Sequence, residues 1–159
     1  MAVDAKGFAA ALAAAAALAA GFEGLRQNAY YDPRPGDAIL TVCYGHTGPD
    51  VEKGRKYSMD ECKALLAEDM QEAVTIVQKC HPDLPFNVLV AFSDAAYNIG
   101  PKVACNSTAS RYLSQGNYEA ACKELPKWNK ANGQVLPGLT RRRNEEMRIC
   151  LESIQSPQE

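Results

Sequence analysis

Apolar positions along this chain recur at two different periods, and the change from one to the other marks out its elements. From Gly7 to Gly21 it reads G-F-A-A-A-L-A-A-A-A-A-L-A-A-G, strongly helix-favouring and only mildly hydrophobic. Between Tyr30 and His46 the β-formers Tyr, Ile, Leu, Thr and Val take over, broken by D-P-R-P-G-D from Asp32 to Asp37. Turn residues between β-formers predict a short hairpin or small antiparallel sheet. Ser58 with Glu61 three residues later is a capping-box signature that opens a long helix. Within it Cys62, Leu65, Leu66, Met70, Ala73 and Val77 fall at helical spacing, so one stripe is buried to about Lys79. Asp69 lies on or beside that stripe, where a half-buried carboxylate needs a partner.

A second helix is predicted from Pro85 to about Asn98, facing inward through Val88, Leu89, Phe92, Ala95 and Ala96 and ended by Gly100-Pro101. A third begins near Ser107 and stops at Gln115-Gly116. Asn117 caps the next, which carries Ala120, Ala121, Leu125 and Trp128 and is kinked by Pro126. Gly138 precedes a last helix that runs through the arginines to about Leu151, and Ser156-Pro157 reads as a frayed tail. Helix, small sheet, long helix, then several helices make an α+β chain.

At 159 residues the chain is the size of one domain or two closely packed lobes. A net charge of -2 announces no nucleic-acid partner, but acids dominate before Gly100 and bases after it. The stretch from Lys102 through Lys130 to Arg141, Arg142, Arg143 and Arg148 is either a positive face for an anionic polymer or a solvated helix surface. Six cysteines, Cys43, Cys62, Cys80, Cys105, Cys122 and Cys150, are scattered without metal spacing. They fit structural disulfides made in an oxidising compartment such as the periplasm, against the alternative of six buried thiols. We pair Cys122 with Cys150, on helices that close the chain and can run antiparallel, and Cys43 with Cys62 and Cys80 with Cys105.

The alanine stretch has several readings. It is short and poor in leucine for a secure membrane span. Lys6 and Ala17-Leu18-Ala19 suit a cleaved signal peptide, but an export anchor that later leaves the membrane, or a plain soluble helix, are open as well. A segment with export history agrees with the cysteines.

Glycoside hydrolysis uses one carboxylic acid to protonate the leaving oxygen and a second carboxylate to handle water or the sugar cation. Glu23, flanked by Phe22, Gly24 and Leu25, sits at the end of an apolar helix that disfavours its charged form, which suits the acid. Asp32 lies in a polar turn before Pro33, which suits the ionised partner. Two acids alone are weak grounds, since surface or capping roles are commoner.

Their frame is specific. The segments G-F-E-G-L-R, A-Y-Y-D and T-V-C-Y-G-H-T resemble the active-site region of the phage-type lysozymes of glycoside hydrolase family 24. So do S-M-D-E-C-K-A-L-L-A-E-D, F-S-D-A-A-Y-N-I-G, C-N-S-T, W-N-K and L-P-G-L-T-R-R-R, which look like the lambdoid branch, so the similarity spans Gly21 to about Leu151. The resemblance implies a lysozyme-like fold: residues 1–21 as an N-terminal helix or export segment, a catalytic domain over 22–152 and a tail over 153–159. Within the domain a small lobe spans about 22–57, the long helix about 58–79 and the helical lobe about 80–152. It implies a muramidase cleaving the β-1,4 bond between N-acetylmuramic acid and N-acetylglucosamine of bacterial peptidoglycan, for host lysis by a phage.

The triad it implies is Glu23 as acid, Asp32 as carboxylate and Thr41 as the hydroxyl holding water, with no cofactor and no metal. The loop from Asp32 to Thr41 carries an insertion, R-P-G-D, relative to the shortest members. Carboxyls roughly 6.5–9.5 Å apart would invert the anomeric centre, and about 5 Å would retain it. His46 resembles the family histidine that pairs with an aspartate of the long helix, here Asp69, and a pair of this kind raises the histidine's pKa and lowers the aspartate's. Arg142, with Arg141 as second choice, matches the arginine that steadies the glutamate's helix end. Asn98, Asn106, Ser107 and Thr108 are candidates for sugar and peptide-stem contacts, against ordinary capping and turn roles. The expected protein is an exported monomer with no nucleic-acid partner and a transient inner-membrane association through its N-terminal segment. The rivals are a chitinase-like hydrolase and an inactive peptidoglycan-binding module. Cys43, two residues past Thr41, raises the idea of redox control by disulfide exchange, against a static bridge.

Overall fold

The alanine run forms a helix because alanine loses almost no side-chain entropy on becoming helical. In the computed structural model, which describes residues 3–32 and 39–155, this is helix α1 (Ala5–Glu23). The side chains of Asp32, Ser153 and Gln155 also stand outside the described set. Asp4 caps α1, its Oδ1 accepting from the Gly7 amide at 2.8 Å. The helix starts before Gly7 and runs past Gly21 to Glu23, so no break falls at residue 21. At 19 residues it is about 28 Å long, near the thickness of a bilayer core. By length and composition it can therefore cross a membrane, contrary to the expectation that it is too short.

Here it does something else. Ala11, Ala15 and Ala19, four residues apart on one face, are fully buried against α2 (Met59–Cys80) and α3 (Phe86–Ile99). Their single methyl groups let the backbones approach closely. In this fold the helix is thus part of the main core.

Three strands follow. β1 (Arg26–Asp32), β2 (Ile39–Cys43) and β3 (His46–Thr47) form an antiparallel sheet in that order, with Tyr30 opposite Thr41 and Thr41 opposite Thr47. The sheet begins at Arg26, earlier than the β-formers suggest, and its register slips between Arg26 and Tyr30. Val42, Cys43, Val51, Tyr57 and Cys62 make a small second core under it. Cys62 belongs to α2, so the long helix closes the small lobe at its start and contributes Leu66, Met70, Val74 and Val77 to the large one. Ser58 caps α2, its Oγ accepting from the Glu61 amide at 3.1 Å.

The centre of the large lobe is α3, in which every residue from Val88 to Ala96 is buried. Around it lie α4 (Lys102–Cys105), α5 (Thr108–Ser114), α6 (Tyr118–Glu124) and α7 (Pro137–Gln155). Pro126 does more than kink α6: the helix stops at Glu124 and tightens into a 3₁₀ turn over Leu125–Lys127. A hairpin of β4 (Lys130–Ala131) and β5 (Gln134–Val135) was not foreseen, although Asn132-Gly133, both at positive φ, is its turn signal. The short α4 was missed as well.

All six cysteines are bridged, Cys43 to Cys62, Cys80 to Cys105 and Cys122 to Cys150, as expected. None is free in this fold, where Cys43 is bridged to Cys62.

Candidate active site

A cleft of about 580 Å³ opens between the sheet and the helical lobe. It is lined by Glu23 from the end of α1, Tyr30 and Thr41 from the sheet, Asp69, Glu72 and Ile76 from α2, and Tyr97 and Asn98 from α3. Its volume is within the range of ligand sites. Residues far apart in sequence meet here because α1 and α2 both pack on α3 while the sheet stands over them.

Glu23 does not lie in the apolar setting that its neighbours in sequence suggest. Its Oε1 accepts from Arg142 Nη1 at 2.7 Å, and its side chain keeps 23% of its exposure. Arg142 is fixed from behind by Asp94, with Nε donating to Oδ2 at 2.9 Å and Nη2 to Oδ1 at 2.8 Å. Burial works against the guanidinium's charge, but Asp94 and then Glu23 outweigh it and push its pKa up. Phe22 stacks beside the same guanidinium, 5.4 Å from its ring centre. Arg142 is therefore the arginine at the glutamate; Arg141 is exposed.

The turn between β2 and β3 presses on Glu23 from the other side. Gly45 has φ +80°, and a β-carbon placed there would stand 3.1 Å from Glu23 Oε2. Tyr97 holds that turn in place, its hydroxyl donating to the Tyr44 carbonyl at 2.8 Å. Burial, with Glu23 and Asp69 nearby, pushes the Tyr97 phenol well above its ordinary value, so it remains a donor.

Thr41 is buried in β2 and reaches the cleft; its Oγ1 donates to the Ile39 carbonyl at 3.4 Å, a long bond. Asp32 pairs with Ile39 at the end of β1. Its side chain and the inserted R-P-G-D lie outside the described residues, and so does the carboxyl separation that bears on inversion or retention.

His46 and Asp69 are joined as expected, Nδ1 to Oδ2 at 2.7 Å, tying β3 to α2. A second carboxylate was missed: Asp50 takes the opposite ring nitrogen, Nε2, at 3.0 Å. Burial disfavours the His46 charge, but the bonds to Asp69 and Asp50 outweigh it and raise its pKa. The expected lowering of Asp69 is not found. Burial is the larger influence on that carboxyl and raises it, while exposed Asp50 is the one lowered, by its bond to His46.

Of the four polar residues expected to meet substrate, Asn98 alone lines this cleft, where its Oδ1 accepts from Arg143 Nη2 at 2.8 Å. Asn106, Ser107 and Thr108 line separate shallow hollows near Arg111 and Trp128. Ser107 also caps α5, accepting from the Ser110 amide at 3.0 Å. The C-terminal bases divide: Lys102, Lys130 and Arg141 are exposed, and others are engaged. Arg142 and Arg143 are buried, and Lys123, Lys127 and Arg148 pair with Glu119, Glu124 and Glu145. Among the residues missed, Asp94 had a signal: a lone acid in the apolar run of α3 must have a partner. Gly45 and Tyr97 had none outside their motifs.

The phage lysozyme family model matches residues 20–146 of this chain. The chain is 38% identical over 135 residues to a SAR-endolysin of Bacteriophage PS119, covering 82% of this chain and 77% of that protein. It superposes on the muramidase domain of SpmX from Asticaccaulis excentricus with a TM-score of 0.77 at 30% identity, covering 91% of this chain and 96% of that one. The active form of the P1 phage endolysin Lyz shares the fold, with a TM-score of 0.80 at 21% identity and 99% of both chains covered.

Proposed function

The chain belongs to the phage lysozyme family and is an endolysin muramidase, a glycoside hydrolase of bacterial peptidoglycan; from that premise we propose that Glu23 is its proton donor. The observation that carries this assignment is the Arg142 guanidinium, buried and held by Asp94, at 2.7 Å from a glutamate on the cleft wall. A protonated Glu23 gives its proton to the glycosidic oxygen as the bond to the sugar breaks. What remains is a carboxylate, and Arg142 stabilises that product of the transfer. With no side chain, Gly45 does not crowd Oε2.

Asp32 is proposed as the ionised partner and Thr41 as the group that orients water. The reading is supported by register: Asp32 pairs with Ile39, and Ile39, Tyr30 and Thr41 all line the cleft. Asn98 is proposed as a sugar contact, with Asn106, Ser107 and Thr108 as more distant contacts to glycan or peptide stem. The enzyme is expected to act as a monomer, which gel filtration checks. E23Q should fold with wild-type far-UV dichroism and clear permeabilised Gram-negative cells at least 10²-fold more slowly, on the order of the contribution of a general acid. Lysis by folded E23Q at the wild-type rate would remove Glu23 from the role.

For location, we infer export to the periplasm with α1 first serving as a membrane anchor. Its length and composition suit a bilayer, yet the same helix supplies Ala11, Ala15 and Ala19 to the core and ends at Glu23. It cannot do both at once, so the tethered form lacks an assembled site. Membrane-bound protein isolated from host cells should be inactive until released; equal activity per molecule in both fractions would refute this.

A further inference from the structure

The buried charges behind Arg142 extend further than the mechanism requires. Arg143, next on α7, is fully buried, and its Nη2 donates to Asn98 Oδ1 and to Glu146 Oε2, each at 2.8 Å. Glu146, also fully buried, meets Arg143 Nε with its other oxygen, and Asp94 is among the groups that act on its carboxyl. Asp94 grips Arg142. One continuous chain of side chains thus runs from Glu23 through Arg142, Asp94, Glu146 and Arg143 to Asn98, and both of its ends are in the cleft wall.

We propose that Glu146 is a positioning residue for the reaction, joining the support of Glu23 to that of Asn98 so that the donor and the cleft wall are set by one buried network. The proposal rests on Glu23 being the donor. The meeting of two buried carboxyls explains how Glu146 does this. Arg142, Arg143, Asp94 and Glu146 are all buried, while Glu23 stands at the cleft. With both ionised, Asp94 and Glu146 would repel each other away from water, which is costly. A proton kept on Glu146 removes that repulsion, and burial, then Asp94, pushes that carboxyl far above its usual range. The groups that bear on it are Asp94 from α3 and Arg143 from its own helix, with Arg142 and Glu23 beyond Asp94. As a neutral acid, Glu146 donates to Asp94 while accepting from Arg143. Glutamine keeps the length, one acceptor for Arg143 and a donor for Asp94; leucine has neither, and aspartate is one methylene short.

The test measures reducing-sugar release from purified peptidoglycan against substrate concentration and pH, alongside thermal unfolding. E146L should lower kcat at least tenfold, because small displacements of a reacting group are costly. E146Q should restore kcat to within about threefold, with a pH–rate profile that superimposes on that of the wild type. If E146L does not fold, E146D takes its place, with the same loss expected. Wild-type kcat in a folded E146L or E146D, a loss in E146Q equal to that in E146L, or a displaced E146Q profile would each overturn the proposal. E23Q, run beside them, separates the two readings: an active E23Q removes the donor assignment, whereas the Glu146 series decides the network.

Discussion

At the scale of single residues, the site depends on groups with little freedom to change. Gly45 adopts φ +80° directly against Glu23, so G45A adds backbone strain of about 1–2 kcal/mol and crowds the carboxylate. We expect a comparable loss of stability in denaturant titration and about a tenfold fall in lysis rate; an unaffected rate would mean that Glu23 does not need that space. His46 gives a pH dependence whose sign follows from its partners. Its folded pKa is raised above 6.5, so its contribution is complete below that pH and disappears as pH climbs through the folded value. Raised Asp69 acts in the same direction, and only lowered Asp50 loses stability as pH falls from 3.8 through its folded value. Melting temperatures of wild type and H46Q should therefore differ most near pH 6 and converge in alkali. A gap that widened with rising pH would contradict the pairing.

At the scale of elements, α1 shows how one sequence suits two environments. A nearly all-alanine face packs closely on α2 and α3, and an apolar circumference tolerates lipid. Packing makes the first role sensitive to volume. A15L should cost about 1–3 kcal/mol by overpacking and reduce lysis further by moving Glu23, whereas A17L, on the exposed side, should change neither. Thermal unfolding and turbidity assays of the two variants check this, and equal effects would show that the face is misassigned. The sheet is held differently, by His46 to α2, by Tyr97 to the turn and by the Cys43–Cys62 bridge.

At the scale of the whole molecule, a main core and a small one share one long helix, and the three bridges join cysteines 19, 25 and 28 residues apart in sequence. Loops of that size, closed in the unfolded chain, are worth about 2–4 kcal/mol each. C122A/C150A, which joins α6 to α7 far from the cleft, should lose about that much in urea titration and still clear cells normally at 25 °C. A loss of activity without a loss of stability would place that bridge in the mechanism instead.

Much of this was legible without coordinates. Helical spacing marked α2 and α3, β-formers around turn residues marked the sheet, and the motifs around Glu23, Thr41, His46 and Arg142 marked the cleft. These are local patterns, which neighbours in sequence carry. Local patterns also misled: Phe22 and Leu25 suggested an apolar Glu23, whereas Arg142, 119 residues away, sets its surroundings. The basic C-terminal stretch left a positive face or a solvated helix surface open, and neither describes Arg142 and Arg143, which are buried. Sequence alone determined the main elements, the long helix, the buried helix beside it and the small sheet, and the motifs that line the cleft. Tertiary structure decided which charges meet, because electrostatic partners depend on distance through space and on burial, and neither is written in the order of residues.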